Sequence, residues 1–208
     1  MTEKFPSRPY ASAQEYFTAY RENIARAWES VSPSKVAVAA DLLRACLDRD
    51  GTIYACGNGG SAAIANHLLC DFHKSVQTGT DFRPRVVSLS SQLELITAIA
   101  NDISFAEIFV YQLRTMARPG DLLMTISSSG DSENIVRAAG WAKANKIPTI
   151  SLVGFSGGRS AAIADVAIHV AAENYGIVED VHQSVMHLLS QHLRQSRMSP
   201  DAIKQSKF

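Results

Sequence analysis

Two short loops carry residue types that hold anions without using charge. Residues 57–61 read Gly57-Asn58-Gly59-Gly60-Ser61, and residues 127–132 read Ser127-Ser128-Ser129-Gly130-Asp131-Ser132. Each follows an apolar run, Thr52 to Cys56 and Asp121 to Ile126, and each precedes a stretch of helical periodicity. A strand that runs into Gly and Ser and then into a helix leaves free backbone N–H groups at the carboxyl edge of a sheet, where a phosphate can be cradled. The hydroxyls of Ser127, Ser128, Ser129 and Ser132 add neutral donors, which suits a phosphomonoester that must also be released.

A second set of side chains could do acid–base or metal chemistry. His67 and Asp71 are four apart in the run Asn66-His67-Leu68-Leu69-Cys70-Asp71-Phe72, so a helix puts both on one face just beyond the Gly-rich loop. The plain alternative is a surface His–Asp pair. Toward the C-terminus, Asn174 to His187 begins another helix, with Val181, Val185, Leu188 and Leu189 as its core stripe and Glu179 and His187 two turns apart. His67, Asp71, Glu179 and His187 together make a nitrogen–oxygen set that suits Zn²⁺, or Mn²⁺, Fe²⁺ or Ni²⁺. His73, His169, His182 and His192 have no partner at ligand spacing and read as solvated or helix-packing histidines. Asn101-Asp102 ends the helical run from Leu93 and could cap the next helix or hold a ligand hydroxyl; Gly154-Phe155-Ser156-Gly157-Gly158 reads as a tight turn.

The elements that must position these groups are legible in outline. Tyr16, Tyr20, Ile24 and Trp28 form a helical stripe over residues 11–31, and a second helix over 35–48 precedes the sheet. β-rich runs at 52–56, 85–90, 121–127, 148–153 and 165–171 alternate with helical stretches, which predicts an α/β domain with a five-stranded parallel sheet. We therefore expect N-terminal helices over 1–50 as an oligomerisation arm, the α/β domain over 51–198 and a loose C-terminal tail over 199–208. The 208 residues hold 20 basic and 20 acidic side chains, so nothing draws the chain to nucleic acid or to a membrane surface. No apolar run is long enough for a membrane span and the start has no signal-peptide core, so the expected location is cytoplasmic. Cys46, Cys56 and Cys70 lack CxxC spacing and read as buried small hydrophobes.

Taken in order, the N-terminal helices, Cys56-Gly57-Asn58-Gly59-Gly60-Ser61, Asn101-Asp102, the Ser127 to Ser132 loop, the Gly154 to Gly158 turn and the Glu179 to His187 helix resemble the sugar isomerase (SIS) superfamily, and within it the phosphoheptose isomerases. The resemblance implies a single SIS domain flanked by helices, a homotetramer, active sites lined by more than one subunit, and aldose–ketose isomerisation of a phosphorylated sugar, sedoheptulose 7-phosphate. It also implies phosphate binding by Ser127, Ser128, Ser129 and Ser132. Asn58, Ser61 and Asp102 would contact the sugar, with Gly59 in the same loop and Glu179 beside it. One Zn²⁺ per subunit would be held by His67, Asp71, Glu179 and His187, with Asp71 as base and His187 as acid. The chain departs from the family pattern at Asp71, where the family has Glu, at Glu179, where it has Gln, and at Gly176, where it has Asp. A non-catalytic scaffold or sugar-phosphate sensor of the same superfamily, of the kind that binds the bacterial replication initiator, and an isomerase of a different sugar phosphate are the alternatives.

Overall fold

The computed structural model describes residues 4–208. Helices α1 (Ala13–Glu29) and α2 (Pro33–Asp48) lead into β1 (Thr52–Gly57) and α3 (Gly60–Cys70), which continues as a π-helical turn over Asp71–Val76. Then come β2 (Arg85–Ser88), α4 (Leu93–Asp102), a 3-10 turn at Phe105–Glu107, α5 (Val110–Met116), β3 (Leu122–Ser127) and α6 (Glu133–Ala144). The chain ends with β4 (Thr149–Val153), α7 (Gly158–Ile163), β5 (Val166–His169), α8 (Tyr175–Gln195) and α9 (Pro200–Gln205).

The expected sheet is present: five strands in the order β2-β1-β3-β4-β5, every pair parallel. β1, β3 and β4 are buried along their whole length, and this double-sided burial is why they read as apolar runs rather than as alternation. Alternate strand residues feed two cores. Ile53, Met124 and Ile126 pack with Leu43 of α2, Leu68 of α3 and Val181 and Leu189 of α8 on one face. Tyr54, Cys56 and Leu123 pack with Leu113 of α5 and Ile135 and Ala138 of α6 on the other. The chain moves outward from β1 to β2 and then crosses back to β3, so the strand order switches between β1 and β3. Their carboxyl ends, with Gly57 paired to Ile126, open the crevice where ligands of such sheets bind.

Local signals explain the boundaries. Ser12 caps α1 by accepting from the Glu15 N–H at 3.1 Å, Pro33 opens α2, and Asn174 caps α8 by accepting from the Ile177 N–H at 3.0 Å. α1 is tied to α8 by the Tyr20 hydroxyl, which donates to Asp180 Oδ2 at 2.6 Å. Three expectations need correction. The last residues are not loose: Ser199 caps α9, and the Arg194 guanidinium donates to the Lys207 carbonyl at 2.8 Å while stacking on Phe208. Cys70 is exposed, because it lies on the outer face of α3 where the π turn begins; Cys46 and Cys56 are buried as expected. Leu188 is also exposed, so the core stripe of α8 runs through Val181, Val185 and Leu189 instead. Among the described residues no helix is long and apolar enough to cross a membrane.

Candidate active site

The loops after β1 and β3 meet over a small cavity of about 120 Å³ lined by Asn58, Ser61, Ile126, Ser127, Ser128, Ser129, Ser132, Tyr175 and Glu179. Its shape depends on close backbone approach. Gly130 has φ +67°, and a Cβ there would stand 2.0 Å from the Gly157 carbonyl oxygen. The Ser160 N–H donates to the Gly130 carbonyl at 2.9 Å and the Gly154 N–H to the Ser128 carbonyl at 3.0 Å, so the Gly154 to Gly158 turn is the buttress of the serine loop. Asn58 and Asn134 exchange amide hydrogen bonds at 2.9 and 3.0 Å, locking the first loop to the start of α6.

The hydroxyls are prepared for a ligand to different degrees. Ser127 Oγ accepts from the Gly130 N–H at 3.1 Å and Ser129 Oγ from the Asp131 N–H at 3.3 Å, leaving each O–H proton to donate. Ser132 stands at the N-cap of α6 without bonding that helix through its side chain, and Ser128 Oγ is buried with no hydrogen-bond partner among the described residues. A buried hydroxyl in that state invites an acceptor. No Lys or Arg lines the cavity. The nearby cations are paired outside it: Arg159 with Asp131 and Glu133, and Arg137 with Glu133 and Glu107. The carboxylate in the wall is Glu179, and burial, with help from the neighbouring Asp180 charge, pushes its carboxyl above the usual range. It lies against Gly60, where a Cβ would come within 2.3 Å of Oε2.

Further along the same two helices, His67, Asp71 and His187 converge, with one ligand atom from each lying within 4.8 Å of the others. His67 Nε2 stands 3.3 Å from Asp71 Oδ1 and 3.2 Å from His187 Nε2, and His187 Nε2 stands 3.8 Å from Asp71 Oδ2. Ligand atoms about 2.0–2.1 Å from one tetrahedral ion are roughly 3.3–3.4 Å apart, so these three side chains fit a Zn²⁺-sized cation. Asp71 begins the π turn, a rare feature that is frequent at functional sites. The Ser190 hydroxyl donates to its Oδ2 at 3.2 Å. The imidazoles of His67 and His187 are 48% and 41% exposed, so solute can reach them.

Most expected groups fall into one of these two clusters, and some do not. Glu179 stands apart from the other three expected ligands: its carboxylate lines the serine cavity against Gly60, two turns before His187 on α8, while His67, Asp71 and His187 converge. Asp102 is exposed at the end of α4, bonded to Asn101, and lines neither cluster. Gly59 is the N-cap of α3 at φ +53°, open to solvent rather than part of the cavity wall. Sequence reasoning missed Tyr175, Asn134, Gln183 and Ser190. The last two lie four before and three after His187, a helical spacing that was there to be read. Among the other histidines, His182 is fully buried, while His169 contacts the Phe155 carbonyl at 2.8 Å.

With this geometry in place, the relatives are informative. A family model described as the SIS domain matches residues 15–154. A phosphoheptose isomerase of Desulfovibrio desulfuricans is 34% identical over 183 residues, covering 86% of this chain and 87% of that protein. One from Laribacter hongkongensis is 37% identical over 164 residues, covering 76% and 82%. The solved phosphoheptose isomerase of Neisseria gonorrhoeae superposes with a TM-score of 0.81 at 32% identity, covering 88% of this chain and 100% of that one. The chain belongs to the SIS-domain family and, within it, to the phosphoheptose isomerases. It is an enzyme of the aldose–ketose isomerase class.

Proposed function

We propose that the protein interconverts sedoheptulose 7-phosphate and D-glycero-D-manno-heptose 7-phosphate through an enediol, as a cytoplasmic homotetramer carrying one Zn²⁺ per subunit. The observation that carries the substrate is the spacing of the two clusters. α3 and α8 pack side by side, with Ser61 and Glu179 at the serine cavity and His67 and His187 further along. The intervals are about 9 Å on α3 and about 12 Å on α8 at 1.5 Å of rise per residue. That is the length of an extended heptose phosphate from phosphorus to C1. The cavity takes a phosphate rather than a whole sugar, and binding there fixes C1 and C2 against His67, Asp71 and His187.

In that pose Asp71 removes a proton from C1 of the ketose and returns it to C2, while His187 gives a proton to O2 and takes one from O1. No atom is gained or lost. Ser190 holds the Asp71 carboxylate in its orientation. His67, Asp71 and His187 would hold a metal that supplies Lewis acidity toward the sugar oxygens, and Asp71 and His187 act as base and acid in alternation with that ligation. The tetramer is supported by exposed Leu93, Leu95, Ile103 and Phe105, which cluster on and after α4 with Asp102 among them. An Asp102 that lines no cavity of its own subunit is free to serve a neighbour's. The test combines a ketose-to-aldose assay on sedoheptulose 7-phosphate with metal analysis of protein purified without added metal. Turnover with bound zinc supports the reading; a protein that turns over only a shorter sugar phosphate sinks the substrate assignment.

A further inference from the structure

The wall of the serine cavity holds one aromatic side chain that the isomerase reading leaves without a role. Tyr175 opens α8 directly after the Asn174 cap, lines the cavity and still exposes much of its surface. Its placement is fixed from two sides. Asn174 accepts from the Ile177 N–H and donates to the Phe5 carbonyl, both at 3.0 Å, which clamps the start of the helix. Phe155 meets the Tyr175 ring edge to face, with centroids 4.9 Å apart and planes at 76°. Phe155 itself is pinned at φ +45°, a left-handed conformation uncommon for a residue with a side chain. Its N–H donates to the Ala172 carbonyl at 3.1 Å and its own carbonyl meets His169 Nε2 at 2.8 Å. It directly follows Gly154, whose N–H holds the Ser128 carbonyl, so the brace of Tyr175 and the buttress of the serine loop are one piece of chain.

Tyr175 and Glu179 are four apart on α8 and share the face that lines the cavity, while His187 lies two turns beyond Glu179. Tyr175 is thus one turn from Glu179 on the side away from His187, about 6 Å by rise. A sugar phosphate that runs from the serine cavity to the cluster of His67, Asp71 and His187 leaves Tyr175 behind its phosphorus, not beside its carbon chain. No Lys or Arg lines the cavity and its volume is about 120 Å³, so the form of phosphate admitted is chosen by room rather than by cations. We propose that Tyr175, braced by Phe155, is a specificity-determining residue: its ring is the end wall that admits a terminal phosphomonoester and refuses a phosphate carrying a second ester group. The proposal rests on the sugar-phosphate reading above and adds which residue decides the class of ester.

The test compares sedoheptulose 7-phosphate with its methyl phosphodiester, the KM of the first against the inhibition constant of the second. The two esters differ in charge as well as in size, but that difference is the same for every variant, so a change in the ratio of the two constants reads the wall. Wild-type enzyme should favour the monoester, and Tyr175→Ala should narrow the preference by about tenfold or more, the scale on which a fitted pocket discriminates one methylene. Tyr175→Phe keeps the ring and should keep the wild-type ratio; Phe155→Ala removes the brace and should narrow the ratio by part of that amount. A structural role alone would raise both constants and leave their ratio unmoved. A wild-type ratio in Tyr175→Ala overturns the inference and leaves the phosphate reading intact, as does wild-type enzyme that takes both esters equally. A ratio narrowed as far in Tyr175→Phe as in Tyr175→Ala overturns it in favour of the phenol hydroxyl, and an unchanged ratio in Phe155→Ala overturns the brace. Wild-type enzyme that does not bind sedoheptulose 7-phosphate overturns the sugar-phosphate reading and the inference together. Should Tyr175→Ala fail to fold, Tyr175→Ser decides by the same ratio.

Discussion

The two ends of the α3–α8 pair are built by opposite means. At the serine cavity the backbone does the shaping: Gly130 packs on the Gly157 carbonyl, Gly60 on the Glu179 carboxylate, and the serine hydroxyls come from the two loops, Ser61 from one and Ser127, Ser128, Ser129 and Ser132 from the other. At the cluster of His67, Asp71 and His187 no glycine is involved; side chains from α3 and its π turn meet one from α8 only because the helices pack at the right register. The first kind of site is held by the carboxyl ends of the fully buried strands β1 and β3 and tolerates little backbone change. The second depends on individual functional groups and tolerates changes that keep the helices packed. Substitutions should therefore separate affinity from turnover.

The largest effect is expected at the side-chain end. Asp71→Asn keeps the shape and the contact with Ser190 but removes the base, so kcat should fall by about two to four orders of magnitude. KM and the thermal midpoint should stay near wild type. Near-normal kcat in this variant would take Asp71 out of the mechanism and leave Glu179, whose carboxyl is pushed upward by burial, as the remaining carboxylate on the path of the sugar.

Between the two ends lies His182 of α8, fully buried, its ring nitrogens without a hydrogen-bond partner among the described residues. Burial lowers its pKa from 6.5 to about 4. In the window between those values the unfolded chain binds the proton and the folded chain does not, so stability is full above about pH 6.5 and falls as the pH drops toward 4. This residue alone accounts for a loss of about 3 kcal/mol across that window. His182→Leu should flatten that part of the stability profile, measured by urea denaturation at pH 7, 5.5 and 4.5. An unchanged slope would place the acid sensitivity elsewhere. Because α8 carries groups from both ends, acid unfolding should remove phosphate affinity and turnover together, unlike Asp71→Asn.

The difference in construction also governs what the sequence discloses. Strands β1, β3 and β4 are legible because double-sided burial makes them apolar runs that lead into Gly or Ser, and the serine loop is legible because its donors lie close together in the chain. The cluster is legible only in pairs: His67 with Asp71 follows from helical spacing, but joining them to His187 requires the α3–α8 packing, which no local pattern encodes. Glu179 illustrates the limit. Its spacing from His187 is compatible with a shared ion, and only the contact with Gly60 assigns it to the cavity. Asp102 is a further case: it is exposed at the end of α4, bonded to Asn101, and lies outside both clusters. His182 was left between a solvated and a helix-packing reading for another reason: burial of an imidazole is decided by tertiary packing, while its neighbours Asp180 and Ser184 on the same helix are polar.

A backbone change at the cavity tests the other half of the comparison. Gly130→Ala places a methyl where the Gly157 carbonyl oxygen stands and asks an L residue to hold φ +67°. The cost is about 1–3 kcal/mol, expressed as a lower unfolding midpoint and a raised KM with kcat at saturation less affected. A variant with wild-type KM would mean that the buttress is not what shapes the phosphate end.

The smallest effects belong to single hydroxyls. Ser129→Ala and Ser132→Ala each delete one neutral donor from a loop whose backbone stays in place, so each should weaken sugar-phosphate binding by about 1 kcal/mol, or roughly fivefold, and more where the phosphate charge strengthens the bond. Ser132 is the cleaner case, because its hydroxyl does not bond the first turn of α6 and its removal leaves the helix start as it is, whereas Ser129 also receives the Asp131 N–H. Calorimetric titration with the sugar phosphate reads both directly. The variants should unfold at the wild-type midpoint and bind metal as the wild type does, which is the signature of a defect confined to the phosphate end. Wild-type affinity in both variants would mean that the backbone N–H groups at the start of α6 carry the anion by themselves, and that the run of serines serves loop geometry rather than recognition.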